Sequence, residues 1–319
     1  MANATGTYNT DPHTTATDAN FIPELWSSEI IATNKASLVV APLVRRMSLD
    51  KYQGKGDTIH VPKPFRGVSA SKVADTAVTL NYGTAGVLDI SVDKHFHYAR
   101  LIEDIVKVQA LESNRSFYTD DAGYALAKQL DTDLLDLAAG FGSGVVGSYS
   151  AYEEAYIGTG AAQWDPTASA NAGNAAALTD AGVRKAIQLL DDADTPMMGR
   201  VWVVPPVAKN TLLAIDRFNS SDYRSDSNKG VETGRFGEVY GIPVYTSSNC
   251  AYVADAGTAT DQRACLLFQK DAIVLVEQMA VRMRSESKLE HLSVLMVADT
   301  IYGVSLYREE AGVALIIPA

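Results

Sequence analysis

Residues 113–140 (SNRSFYTDDAGYALAKQLDTDLLDLAAG) are the stretch that most limits what this chain can fold into. Phe117, Tyr124, Ala127, Leu130, Leu134, Leu137 and Ala138 recur at spacings of three, four and seven. Asp120, Asp121, Lys128, Asp131 and Asp133 fill much of the opposite side, the pattern of an amphipathic helix. At ~3.6 residues per turn this is one apolar stripe along about seven turns. Ser113 or Asn114 can cap its start, and Gly140 stands where a left-handed turn would end it. A helix of that length needs a sheet or another helix beside it, so the stretch predicts a spine against which the two ends of the chain are packed.

A hydrophobic content of 47% over 319 residues supplies a core for one large domain or two. The net charge of −11 argues against a large surface gripping nucleic acid, which needs clustered Lys and Arg. Cys250 and Cys265 lack CxxC spacing, so they predict a chance pair of buried thiols in a reducing compartment rather than a disulfide scaffold or zinc cluster. No apolar run reaches the ~18–20 residues that span a bilayer, and residues 1–20 lack a basic start followed by an apolar core. The expectation is a protein with no signal peptide and no membrane span. No fixed-period repeat is visible, which argues against solenoids and propellers.

Residues 1–20 carry almost no large apolar side chain and predict a mobile arm. Residues 21–47 predict a short helix, with Pro23 in its first turn, and then an extended piece broken near Pro42. From 51 to 86 the chain turns rich in Gly, Pro, Lys and Thr with alternating apolar residues, a two-stranded excursion. It has too few large apolar residues for a core of its own, so it should lie on something, a neighbouring subunit being the obvious candidate. Residues 87–108 start as a strand that leads into the spine, and 141–174 read as a connector. Thr179 then caps a helix through about Asp192, residues 200–204 (RVWVV) read as a buried strand, and a further helix runs over 206–218. Strands around 237–245 and 266–276 complete an α/β unit of about 130 residues, an ordinary domain size. Between them 219–234 is an exposed polar loop, and the strand-like tail 284–319 is expected to give the spine its sheet.

In that order the parts resemble the tailed-phage major capsid protein family with the Hong Kong 97 coat-protein fold. The stretches that carry the resemblance are FIPELWSSEII, GDTIHVPKP, YALAKQLDTDLL in the spine and FGEVYGIPVYTSSN, with the order of parts covering most of the chain. The resemblance implies an α+β fold with an N-terminal arm (1–50), an extended hairpin loop (51–86) and a peripheral domain (87–146 and 284–319, spine 113–140). An α/β axial domain (147–283) would carry the exposed loop 219–234. It implies a structural shell subunit and not an enzyme, with no cofactor, assembled in the host cytoplasm into the icosahedral head of a virion. Hexamers and pentamers would enclose double-stranded DNA without reading its sequence, with portal, scaffold and decoration proteins as partners. An encapsulin-type nanocompartment shell, which shares the fold, is the alternative, and a soluble acidic enzyme with an α/β core is the remote one.

The chemistry-bearing motifs are weak. Residues 142–147 (GSGVVG) match GxGxxG but follow a helix instead of joining a strand to one, so a flexible connector is the better reading. His95 and His97 would share one side of a strand and could share a metal, but no third His or Cys is near in sequence. Asp131, Asp133 and Asp136 sit where the helix dipole disfavours negative charge. Either solvent tolerates them or they meet cations such as Arg66 or Arg235 from elsewhere in an assembly. Candidate inter-subunit contacts are therefore Lys63, Phe65, Arg66, Lys72, Asp131, Asp133 and Arg235. No GxSxG, HExxH or phosphate-loop motif is present. In the founding member of the family a loop Lys forms an isopeptide bond with an Asn of a neighbour, assisted by a Glu. Lys63, Lys72 and Glu309 or Glu310 could serve here, but residues 284–319 contain no Asn.

Overall fold

A computed structural model describes residues 39–48, 58–63, 67, 69–78, 80, 83, 86–103, 113–141, 152, 154–215, 218, 237–257 and 261–319. In chain order the elements are β1 (Arg45–Ser48), β2 (Thr58–Lys63), β3 (Gly86–Ser91), β4 (Lys94–Glu103), α1 (Ser113–Asp136), β5 (Tyr156–Ile157), α2 (Asp180–Asp192), β6 (Arg200–Val204) and α3 (Pro206–Leu213). There follow β7 (Glu238–Val239), β8 (Ile242–Thr246), β9 (Tyr252–Val253), β10 (Gln262–Gln269), β11 (Ile273–Lys288), β12 (Ser293–Leu306) and β13 (Gly312–Pro318). Two compact units are formed, one from 95–126 and 279–300, the other from 38–94, 127–278 and 301–319.

In the first unit β11, β12 and β4 lie in that order in one sheet. Because side chains alternate across a strand, every second residue faces the start of α1. Phe96, Tyr98, Val281, Met283, Met296 and Ala298 pack there on Tyr118, Ala122 and Leu126. The Tyr98 hydroxyl donates to Asp121 Oδ2 at 2.6 Å, and Arg100 lies over the Tyr98 and Tyr118 rings.

The second unit is built on a seven-stranded sheet, ordered β5-β13-β10-β6-β8-β7 with β9 at one end of β10. The RVWVV run is β6, buried at all five positions between antiparallel β10 and parallel β8. Thr179 caps α2, its hydroxyl accepting from the Gly182 N–H at 3.3 Å. A Cβ at Gly182 would fall 2.0 Å from the Gly158 carbonyl oxygen, so only glycine lets α2 approach that closely. Leu178, Ala186 and Leu190 then meet Trp202, Leu267 and Leu315 in the core.

Several expectations need correction. The spine ends at Asp136 and tightens into a 3₁₀ turn over Leu137–Gly140. Gly140 is not left-handed, and the chain leaves through extended Phe141. The buried stripe runs through Thr119, Ala122, Leu126, Leu130, Leu134 and Ala138, leaving Tyr124 exposed and taking in Asp131. The helix expected over 206–218 stops at Leu213. The strand expected at 266–276 is two strands, β10 and β11, which belong to different sheets. The tail divides likewise: β12 joins the spine-side sheet, but β13 pairs with β10 and β5.

Candidate functional site

The excursion is a ribbon whose second strand begins only at Gly86. β2 and β3 pair antiparallel from Thr58↔Ser91 to Lys63↔Gly86 and form a sheet of their own. His60 Nδ1 lies 2.5 Å from Asp89 Oδ1 across the ribbon. The ribbon's base is anchored on its own chain, since Ile59, Ile90 and Val92 pack with Val274 and Val276 of β11. Among the described residues from 67 to 83 none joins that cluster. A turn closes from Val73 to Thr76, with Asp75 at φ +64°, and Val73, Val78 and Leu80 are 71%, 67% and 62% exposed. These three apolar side chains thus project from an otherwise polar strap. Lys63 and Lys72 stand on this part of the chain, both exposed.

Phe65, Arg66 and Arg235, like the arm 1–20, the GxGxxG stretch and the loop 219–234, lie outside the described residues. Asp131 and Asp133 are not surface charges. Asp131 is 1% exposed and accepts hydrogen bonds from the backbone N–H of Val39 at 3.2 Å and of Val40 at 3.3 Å. Burial raises its pKa, against the lowering effect of those N–H donors. Asp133 takes the Lys94 ammonium at 3.2 Å on one oxygen and the Tyr302 hydroxyl at 2.6 Å on the other. Burial, followed by the bond to Asp133, pushes the Tyr302 phenol up. Neither reading of these aspartates in the sequence, solvent or a neighbour's cation, describes this arrangement: their partners are this chain's own groups. Asp136 alone of the three is exposed.

His95 and His97 do share one side of β4. Together with Arg282, Arg284, Leu295 and Asp299 they line a cleft of about 350 Å³ on the sheet face opposite α1. Arg282 grips Asp299 through Nε at 2.8 Å and Nη2 at 2.7 Å, and His95 Nε2 lies 3.2 Å from the same carboxylate. The Arg282 bond, with His95 assisting, holds Asp299 below the usual carboxylate range. Among the described residues no group of three or more His, Cys, Asp or Glu side chains could hold a metal ion.

Cys250 and Cys265 are free and buried; burial pushes the Cys250 thiol up to about 12 and Cys265 well above its ordinary value. Neither is a thiolate near neutrality, and so neither is a nucleophile. Sequence reasoning missed Arg282, Lys94 and Tyr302. The one available signal for Arg282 was its alternation with Arg284 on a strand; nothing in the sequence connects Tyr302 to Asp133, 169 positions away.

Further exposed apolar groups sit at turns: Met197 and Met198 ahead of β6, 73% and 87% exposed, and Leu289 and Leu292 between β11 and β12, 83% and 72% exposed. The described residues therefore offer several projecting apolar points and no constellation of nucleophile, base and oxyanion donor.

The family model described as phage capsid protein matches residues 116–316. No curated protein matches the chain in sequence. Among solved structures, a protein of Mycobacterium phage Che8 is 22% identical, with a TM-score of 0.63 over 87% of this chain and 90% of its own. The Cyanophage Pam1 capsid subunit gives 13% identity and a TM-score of 0.64 over 88% and 92%. The capsid subunit of a native GTA particle gives 13% and 0.57 over 99% and 98%.

Proposed function

From the premise that this chain belongs to the phage capsid protein family, we propose that its projecting excursion and apolar turns are the surfaces by which copies join into a closed shell. The protein is a virion structural protein with the Hong Kong 97-like α+β fold, and it acts by repeated self-association rather than by catalysis. In this reading the shell is the icosahedral head of a tailed phage. Hexamers and pentamers surround double-stranded DNA, and portal, scaffold and decoration proteins complete the particle. The unit carrying the seven-stranded sheet corresponds to the axial domain and the unit carrying the start of α1 to the peripheral domain.

One observation carries the mode of assembly. The ribbon's base is packed on its own chain through Ile59 and Ile90, while the stretch holding Val73, Val78 and Leu80 is left bare. A monomer gains nothing from a bare apolar strap, whereas a shell covers one strap per subunit. Residue 63 or 72 contacting a neighbour belongs to the same proposal; Asp131 and Asp133 are excluded from it by their burial. The net charge of −11 suits a wall along which DNA slides without sticking.

Electron microscopy of the purified protein tests this reading. Closed shells of uniform diameter are expected, and a protein that stays monomeric at every concentration refutes it. Particles that hold protein cargo in place of DNA when isolated from cells would point to the encapsulin-type shell instead.

A further inference from the structure

The cleft lined by β4, β11 and β12 repeats one row of side chains with its middle changed. β11 and β12 are joined by the turn at 289–292 and so run antiparallel. Gly303 lies against Ser91 and Val92 while Asp299, four positions earlier, meets His95, so β12 and β4 run antiparallel as well. Across the sheet Arg282, Asp299 and His95 therefore form a row of cation, carboxylate and imidazole. That row is closed within the chain, with Arg282 on Asp299 at 2.8 and 2.7 Å and His95 on the same carboxylate at 3.2 Å.

Two residues along each strand, the next row on the same face is Arg284, Val297 and His97. The flanking groups recur, but a valine stands where the carboxylate stood. Neither Arg284 nor His97 has a hydrogen-bond or ion-pair partner among the described residues. The other acid of the cleft, Glu286, is engaged by Lys288 Nζ at 2.9 Å. Val297 and Leu295 make an apolar floor between the two donors, whose strands are two spacings apart, roughly 10 Å.

We propose that Arg284 and His97 bind one phosphate-class oxyanion over Val297, the ion supplying from solution the charge that Asp299 supplies from the chain. The first row shows that a single oxyanion group reaches both flanks. A tetrahedral phosphate offers oxygens to the guanidinium fork on one side and to the imidazole N–H on the other at once. The net charge of −11 repels a polyanion, whereas one small ion can enter a cleft of about 350 Å³, so the source is free phosphate and not a nucleic-acid backbone. An ion held there links β11 to β4 across β12 and stabilises that sheet.

Equilibrium dialysis of the full-length protein against labelled inorganic phosphate at fixed ionic strength tests the site, in free or assembled copies alike. One phosphate per copy is expected, with a Kd on the order of 1 mM. Arg284→Ala should weaken binding about tenfold. Lys270→Ala, which removes an equal charge from the exposed turn between β10 and β11, should leave it unchanged. Val297→Asp completes the second row from within, so phosphate binding should vanish while Tm stays at or above the wild-type value. No saturable binding to the wild type up to ~100 mM phosphate overturns the proposal. Binding that Arg284→Ala leaves unchanged, or that Lys270→Ala weakens equally, overturns it too. Should Val297→Asp unfold, the comparison of Arg284→Ala with Lys270→Ala decides. Short duplex DNA that displaces the labelled ion at equal phosphate concentration would assign the site to a nucleic-acid backbone and refute free phosphate as its ligand.

Discussion

Replacing Asp131 should loosen the place where residues 39–41 enter the fold. Its carboxylate accepts from two backbone N–H groups, of which Val40's is fully buried. In Asp131→Ala both donors lose their acceptor, and each buried donor left unpaired costs about 1–3 kcal/mol. Removing a carboxylate that is itself poorly solvated offsets part of this, so the expected net loss is about 2–3 kcal/mol. At the lower end of the usual conversion for large domains, about 2 °C per kcal/mol, that lowers Tm by about 4–6 °C. Asp131→Asn is the sharper test. Its amide keeps the shape but can turn only one acceptor toward two donors, so it should rescue at most half of the loss. Burial holds the folded pKa above the unfolded one, so the folded state binds the proton more tightly and stability falls as pH rises between the two values. The gap between wild type and Asp131→Ala should therefore widen on acidification into that window. Urea melts across pH measure the energies, and hydrogen exchange at the Val39 and Val40 amides measures the contact itself. A loss under about 0.5 kcal/mol, the range of ordinary surface substitutions, with those two amides still protected, would refute the reasoning.

Asp299 has the opposite sign: its pKa is depressed, so its stabilising effect is present above the unfolded carboxylate value and is lost as pH falls through the folded one. Acid titration of stability should show this loss in the wild type and a smaller one in Arg282→Ala. Gly312→Val should destabilise by about 1–3 kcal/mol in thermal melts, because a Cβ there would fall 2.2 Å from the Phe141 ring. Deleting residues 69–80 should leave a folded monomer by size-exclusion chromatography that forms no shells, and shells of normal size would contradict the role given to the strap. Mature particles boiled in denaturant should run as one band near 34.2 kDa, since residues 284–319 offer no Asn for an isopeptide bond; a ladder of linked multimers would sink that expectation.

What could be read from the sequence was what local chemistry decides. The spine was visible because its stripe repeats over many turns, and the second helix because Thr179 supplies a cap that needs only Gly182 three residues on. The buried strand at 200–204 was visible because five consecutive positions are buried, which suits an unbroken apolar run. Sheet membership was not visible. The turn at Lys270 and Asp271 separates strands of different sheets, and a periodic pattern carries no record of which partner a strand takes. The aspartates failed for a related reason. Asp131 and Asp133 look like solvent residues until the chain from 92 and 169 positions away is laid beside them. The candidate site was legible in outline, as a strap without a core, because exposure without support is a compositional property. Its base was misjudged: Ile59 finds its partners in β11, more than 200 positions on.

The place of β13 sets a timetable for synthesis. Leu315 and Ile316 pair with Tyr156 and Ile157 on one side, while residues 312–318 pair with β10 on the other. At ribosomal rates of about 5–20 residues per second, β5 waits roughly 10–30 s for the strand that holds it. Until then β10 presents a bare edge at which another nascent chain could pair. The seven-stranded sheet is thus complete only once residues 312–318 have emerged, and the turn Glu309–Ala311 immediately ahead of them takes its place in the same step. The same delay that leaves β5 unheld therefore leaves each nascent copy with an open sheet edge, and pairing of residues 312–318 is the event that removes it.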